Sequence, residues 1–436
     1  MVTTARGGRG SPAPTPQPRR RTDNARRRVT RVFSPFWVVP TLCCVTAFAL
    51  GLLLPELDRQ LVEYVPFLFP AGADGARTML STIAGAMISL TGLVFSITIV
   101  VLQLASSQFS PRVLHNFLDE RVPQFTLGVF AASFVYALTV MRTVSDSVAG
   151  PQAGVPQIAV TCAFLLVLVS VAMFLAFIHH ITESISVEHI VQEVGSEARD
   201  LLQASRRERT SASDEKDRRP QPVEDYRRSR GVVVVTASDG YLDYVDAPAL
   251  VQTATELGSW IEMLRPVGTF LVADQPLALV HPLDSAAVDA GRCQEEVATA
   301  VPLAARRSME QDVSFGIRQL VDIAERALSP GINDPTTAVQ VLNELHTILR
   351  CLAIEPDTPA AHHDREGTRR LVLREWTFEQ YLDLCIDEIS HWGESSLQVT
   401  GRLQELLSAL EHAAQPEHRP SIQRKLAQVT QAGSRR

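Results

Sequence analysis

Three groups of residues have types and spacings that could do chemistry, and each implies a different kind. In "FIHHITES", His179 and Glu183 stand one helical turn apart, with His180 beside them and His189 further on. That spacing can hold a metal ion, but histidines at the edge of an apolar run also serve as interfacial anchors, and the anchor reading is the stronger one. The second group is "SPGINDPTTA", Ser329 to Ala338, which sits between two stretches with helical apolar spacing. Pro330 disfavours helical geometry at the residue before it, Gly331 can take a left-handed conformation, Asp334 suits an N-cap and Pro335 the first helical position. Thr337 can assist in that first turn, so every residue but Asn333 has a structural task. The alternative is that the free helix N-terminus binds an anion, a partner loop or a lipid headgroup, with Arg306 or Arg307 from "RRSMEQD" adding charge.

The third group is a heptad line. Thr82, Ser89, Ser96 and Gln103 recur every seven residues, and Gly85 and Gly92 each fall three later than a member of that series. One helix face is therefore small or polar, while the other is Leu, Val and Ile. In lipid such a face either packs closely on another helix or lines a path for water or solute.

Other chemistries find no support. Lysine occurs only at Lys216 and Lys425, and no HExxH, GxSxG, GxGxxG or GxxxxGK[ST] is present. The six cysteines, Cys43, Cys44, Cys162, Cys293, Cys351 and Cys385, have no CxxC spacing and read as reduced thiols. No catalytic constellation and no cofactor is expected. "TFLVADQPLALV" resembles the hairpins of lipoyl-type carrier domains, yet no lysine stands at its turn to carry a cofactor. The net charge of −7 hides an Arg-rich leader and a later acidic excess, and no folded segment has the basic surface that nucleic acid requires.

The elements that must position these groups begin in lipid. The chain of 436 residues is 46% hydrophobic and 20% charged. Four apolar runs approach the roughly 20 residues a membrane helix needs: Phe36–Leu54, Thr78–Leu104, Gln124–Met141 and Ile158–Ile178. Arginines abut the first run while the loop Pro55–Arg77 is acidic on balance, which predicts both termini on the cytoplasmic side of a bacterial inner membrane. The expected fold class is membrane α-helical with four transmembrane helices, plus a cytosolic α/β region with a small β-containing unit and a helical hairpin. Its expected parts are a disordered leader over 1–35, the spans over 36–180, a helix and polar linker over 181–230, a mixed α/β unit over 231–300, a helical region over 301–415 with a break near Gly393, and a flexible tail over 416–436.

"LQLASSQFSPR", "FIHHI" and "EQDVSFGIRQLVDIAERALSPGINDPTTA", in this order, resemble the bacterial family of membrane proteins known as domain of unknown function 2254. The resemblance implies this layout after about residue 35 and no established chemistry. Thr336 departs from it, where an aromatic often follows the DP. The functional expectation is a homo-oligomeric channel or transport-type protein in the lipid bilayer, with a cytosolic regulatory part. The rival readings are a membrane-anchored sensor or scaffold and, more remotely, a membrane enzyme.

Overall fold

The structure is a computed structural model and describes residues 37–61, 72–108, 121–144, 156–184, 186–213, 231–283, 288–357 and 359–434. The leader over 1–35, "FSPR" after Gln108 and the polar linker over 214–230 lie outside the described residues. The chain divides into two compact units, one of Met1–Gln103 with His115–Thr182 and one of Leu104–Leu114 with Glu183–Arg436.

The first unit is built on four helices: α1 (Val38–Leu61), α2 (Ala73–Gln108), α3 (Arg121–Met141) and α4 (Gln157–Ser184). Each contains a segment long and apolar enough to cross a membrane: Val38–Asp58, Ala73–Gln103, Arg121–Met141 and Gln157–Glu183. These include the four expected runs almost entirely and extend most of them, because backbone hydrogen bonding carries a helix past the end of its apolar run. At 36 residues α2 is about 54 Å long, well over the roughly 30 Å of a hydrocarbon core.

Two glycines let α1 lie against α3. A Cβ on Gly51 would stand 2.9 Å from Thr139 Cβ, and one on Gly128 would stand 3.0 Å from Cys43 Sγ. Small residues at such crossings bring backbones close, which is how helices gain contact in a solvent as apolar as themselves. Polar groups tie α4 to α1 and α3. Asp58 of α1 accepts from the Ile158 N–H at the start of α4 at 2.9 Å, the Tyr136 hydroxyl donates to the Ala159 carbonyl at 3.0 Å, and the hydroxyls of Ser133 and Ser170 meet at 3.1 Å. One face of α2, with Ala76, Leu80, Ile83, Ala84 and Met87, belongs to the buried core of this unit.

The second unit opens with α5 (Val187–Ser213). The α/β part follows as β1 (Val232–Val235), β2 (Gly240–Leu242), α6 (Ala247–Glu256), β3 (Ser259–Met263), β4 (Phe270–Leu271), β5 (Pro276–Pro282), α7 (Ala290–Ala300) and β6 (Leu303–Ala304). Then come α8 (Val313–Leu328), α9 (Pro335–Ala353), β7 (Ala361–His363), β8 (Arg369–Val372), α10 (Phe378–Gly393), α11 (Leu397–Ala413) and α12 (Arg419–Ser434). A five-stranded sheet has the order β1-β5-β3-β8-β7, antiparallel except for β3 and β8, and a three-stranded sheet has the order β4-β2-β6. Alternation along β3 turns Ile261 and Met263 into the α/β core with Leu250, Val280 and Leu371, while Trp260 and Glu262 point to the opposite face.

Two expectations about this unit are corrected. The region read as wholly helical over 301–415 contributes β7 and β8 to the sheet, and β8 pairs in parallel with β3 from Ile261↔Leu371 to Glu262↔Val372. The expected flexible tail is the helix α12. Its Ile422 and Val429 are buried in the helical core, Leu426 packs against it, and Lys425 pairs with Asp383 at 2.8 Å. Spacing of i, i+4 and i+7 marks those three apolar residues as one face, but the polar residues around them dilute the signal.

The hairpin formed by α8 and α9 agrees with its expected pattern. Val313, Ile317, Leu320, Val321 and Ala324 of α8 and Ala338, Leu342, Leu345 and Leu349 of α9 are all buried in one core with α5, α10, α11 and α12. The helix expected over 377–413 breaks after Gly393, where a Cβ would collide with Val399.

Candidate functional site

The heptad line lies on α2, on the side away from the core. Thr82, Gly85, Ser89, Gly92, Ser96 and Gln103 are all exposed, whereas Ile83, Met87, Val94, Thr98 and Val101 on the other side are buried. A Cβ at Gly85 or Gly92 would meet nothing within 4 Å, unlike one at Gly51 or Gly128. Large exposed side chains flank the line, Leu93 and Val100 on one side and Ile88, Phe95 and Ile99 on the other. Among the described residues, then, nothing packs against Gly85 or Gly92.

Two of its hydroxyls are turned back on their own helix. Thr82 donates to the Thr78 carbonyl at 2.8 Å and Ser89 to the Gly85 carbonyl at 2.9 Å. Each hydroxyl has a single proton, so these oxygens face outward as acceptors. The line also starts earlier than the sequence reading had it, since Asp74 and Thr78 precede Thr82 at steps of four. Asp74, Thr78 and Thr82 border a cavity of ≈ 640 Å³ whose other walls include Met79, Ile83 and Phe164.

The SPGINDP turn joins α8 to α9 as a cap. Asp334 accepts from the backbone N–H of Thr336 at 3.1 Å and of Thr337 at 3.2 Å, and the Thr337 hydroxyl donates to its second oxygen at 2.6 Å. The Thr337 hydroxyl foremost, and then these N–H groups, hold the Asp334 carboxyl below the usual carboxylate range. Asp334 N–H donates to the Ala327 carbonyl at 2.7 Å and Asn333 N–H to the Ser329 carbonyl at 2.9 Å, so the turn is closed by its own backbone.

The left-handed residue of this turn is Asn333, at φ 50°, and not Gly331. A Cβ at Gly331 would meet nothing within 4 Å. The structural task assigned to Gly331 thus belongs to Asn333, the one residue thought to have none. Asparagine is, after glycine, the residue most tolerant of this conformation, and that was the signal available in the sequence.

The arginines expected beside the turn are elsewhere. Arg306 and Arg307 precede α8, whose 16 residues place them about 24 Å from Ser329 at its far end. Arg307 donates to Asp312 at 2.6 Å and to the Ser314 hydroxyl at 2.7 Å and lies over the Phe315 ring. It fixes the start of α8, and the anion site drawn from Arg306, Arg307 and the turn does not assemble. His179 and Glu183 fall at the end of α4, and among the described residues no group of three or more His, Cys, Asp or Glu is placed to hold a metal ion.

A charged cluster escaped the sequence reading. Arg318 of α8 donates to Asp322 at 2.6 Å, to Glu325 at 2.8 Å and to Glu388 of α10. Burial foremost, and then a hydrogen bond in which Glu325 donates its proton to the neighbouring Glu388 carboxylate, push the Glu325 carboxyl up to about 7. The spacing of Arg318, Asp322 and Glu325 on one helix face is visible in the sequence, but the approach of Glu388 is not.

Fold and site together define a membrane protein with four apolar helices and a second unit of small sheets and packed helices. The chain matches the model of the family described as "Predicted membrane protein (DUF2254)" over residues 34–409, and it belongs to that family. It is 31% identical over 406 residues to the uncharacterized protein Mb1321c of Mycobacterium bovis, and equally to the uncharacterized protein Rv1290c of Mycobacterium tuberculosis. The match covers 92% of this chain and 76% of each relative. No solved structure matches the chain.

Proposed function

We propose that this protein is an oligomer of channel or transport type, in which the outer line of α2 faces other copies of the chain around an acceptor-lined path. The second unit serves as its cytosolic regulatory part. The observation that carries the reading is the contrast among glycines: Gly51 and Gly128 are filled by neighbours within the chain, while Gly85 and Gly92 are open. A face of Gly and Ser presented to lipid forgoes the dispersion contact that Leu would make, and a second helix restores it by close approach. Outward hydroxyl oxygens, with the Asp74 carboxylate at one end, favour small cations over anions along such a path. In this reading the protein is not an enzyme, it sits in a bacterial inner membrane, and both termini are cytoplasmic.

The test uses single cysteines in a background lacking Cys43, Cys44 and Cys162. Cysteines at Ser89 and Ser96 should react with a membrane-impermeant thiol reagent, and Gly92→Cys should cross-link between copies. Cysteines at the buried Val94 and Val101 are the controls, since Leu93 and Val100 border the line itself. Protection at both serine positions without cross-linking would leave the four helices as an anchor for a sensor or scaffold. Reporter fusions at Gly75, Gln152 and Arg436 check orientation, with the last expected inside.

A further inference from the structure

Contacts inside the second unit identify one of its ends. α5 and α9 run side by side in the same direction: Arg199 pairs with Glu344, and Arg206, further along α5, pairs with Glu355 just beyond α9. Moving back about nine residues from Glu344 reaches Pro335 at the start of α9, and the same step from the Gly195–Arg199 turn reaches the start of α5. α8 runs the other way, with Gly316 against Ala198, where a Cβ would stand 3.2 Å from the alanine's own. Its last residue, Leu328, is therefore at the same end, and a Cβ on Gly393 would lie 3.3 Å from Leu328 Cδ1. The SPGINDP turn, the turn between α10 and α11, and the first residues of α5 thus share one end of the unit.

That end carries apolar side chains that the described residues leave largely exposed. Leu397 is 84% exposed, the highest value among the described large apolar residues, and Trp392 and Ile332 are 46% and 47% exposed. Pro330 is exposed beside Ile332, and the His391 ring meets Trp392 edge-on at 5.4 Å. The one carboxylate of the SPGINDP turn, Asp334, is directed inward to cap α9, which leaves the turn's outer surface without an acid. Arg326 and His391 stand in the last turns of α8 and α10, with Glu394 at the rim. An exposed Trp among Leu, Ile and Pro on two tight turns has the chemistry of residues that settle at a membrane–water interface.

The chain itself names the occupant. Ser184 ends α4, the helix with the fourth membrane segment, and Val187 begins α5 at this same end. Three residues reach at most roughly 10 Å. We propose that the end formed by the α8–α9 and α10–α11 turns is a docking surface for the lipid bilayer, with Pro330, Ile332, Trp392 and Leu397 seated in its interfacial layer. The SPGINDP stretch then has two tasks, since its cap geometry turns the Asp334 carboxylate inward and presents Pro330 and Ile332 outward. The surface does not depend on the α2 line, so either proposal can fail alone.

The test uses the full chain reconstituted in phosphatidylcholine vesicles, with and without a phospholipid carrying a nitroxide near its headgroup. The emission of Trp392 is taken as the difference between wild type and Trp392→Phe. It should lose at least half its intensity to the nitroxide lipid, equally at high and low protein density. Leu397→Glu should reduce that quench at least twofold, and comparing it with wild type gives the same reading if Trp392→Phe fails to reconstitute. An unquenched Trp392 with red-shifted emission, meaning water, would overturn the proposal. So would an unquenched, blue-shifted emission that disappears on dilution into excess lipid, which would mean a second copy of the chain covers this end.

Discussion

The contact between α1 and α3 and the outer face of α2 use the same residue types to opposite ends. At the first, Gly51 and Gly128 are glycines because a Cβ would run into Thr139 or Cys43; at the second, Gly85 and Gly92 have open space around them. Both are small-residue faces on apolar helices, and among the described residues only the first is filled by a neighbour. A glycine in a membrane helix therefore permits a close approach without ensuring one.

The sharpest way to break that comparison is to fill both sites. Gly128→Leu should destabilise the detergent-solubilised monomer by about 1–3 kcal/mol, the usual cost of overpacking. Gly92→Leu should leave the monomer within about 0.5 kcal/mol, as an open position does, and act on self-association instead. Equal melting temperatures for the two variants would remove the distinction.

A similar contrast in the α8–α9 turn comes next in size. Asn333→Val forces a β-branched residue to a positive φ and should cost about 1–2 kcal/mol, while Asn333→Gly should be tolerated. Gly331→Ala, at an open glycine with ordinary φ, should stay within about 0.5 kcal/mol. Denaturant midpoints would reverse the assignment if Gly331→Ala were the damaging change.

Asp334→Ala should cost about 1 kcal/mol through loss of the cap. Because folding lowers the Asp334 pKa, its contribution is present above the ordinary carboxylate range and is lost as pH falls through the depressed value. The variant should therefore show a flatter acid limb, and an unchanged limb would put the pH dependence elsewhere.

Glu325 has the opposite sign. Its folded pKa is raised to about 7, so the stability it contributes below its unfolded pKa is lost as pH rises through that value. Glu325→Gln should gain about 1 kcal/mol at pH 8, discounted for partial exposure, and almost nothing at pH 4. A gain independent of pH would mean that the proton is not held between Glu325 and Glu388.

Local rules were enough for much of this molecule. Apolar length determined the four membrane helices, since a run of about 20 residues has few other ways to satisfy its backbone in lipid. Helical spacing determined the α8–α9 hairpin, and Asp334 followed by Pro335 determined the start of α9, because a cap is satisfied within three residues. The family membership was legible for the same reason, in contiguous motifs such as SPGINDP. Only the tertiary structure decided the pairing of β3 with β8, whose strands are more than a hundred residues apart and too short to announce a partner. It also placed Arg307 on Asp312 rather than at the turn, brought Glu388 to Arg318, and moved the left-handed conformation from Gly331 to Asn333. And it showed the line on α2 to face outward: periodicity groups residues on one face of a helix, but what that face meets depends on where the other helices go.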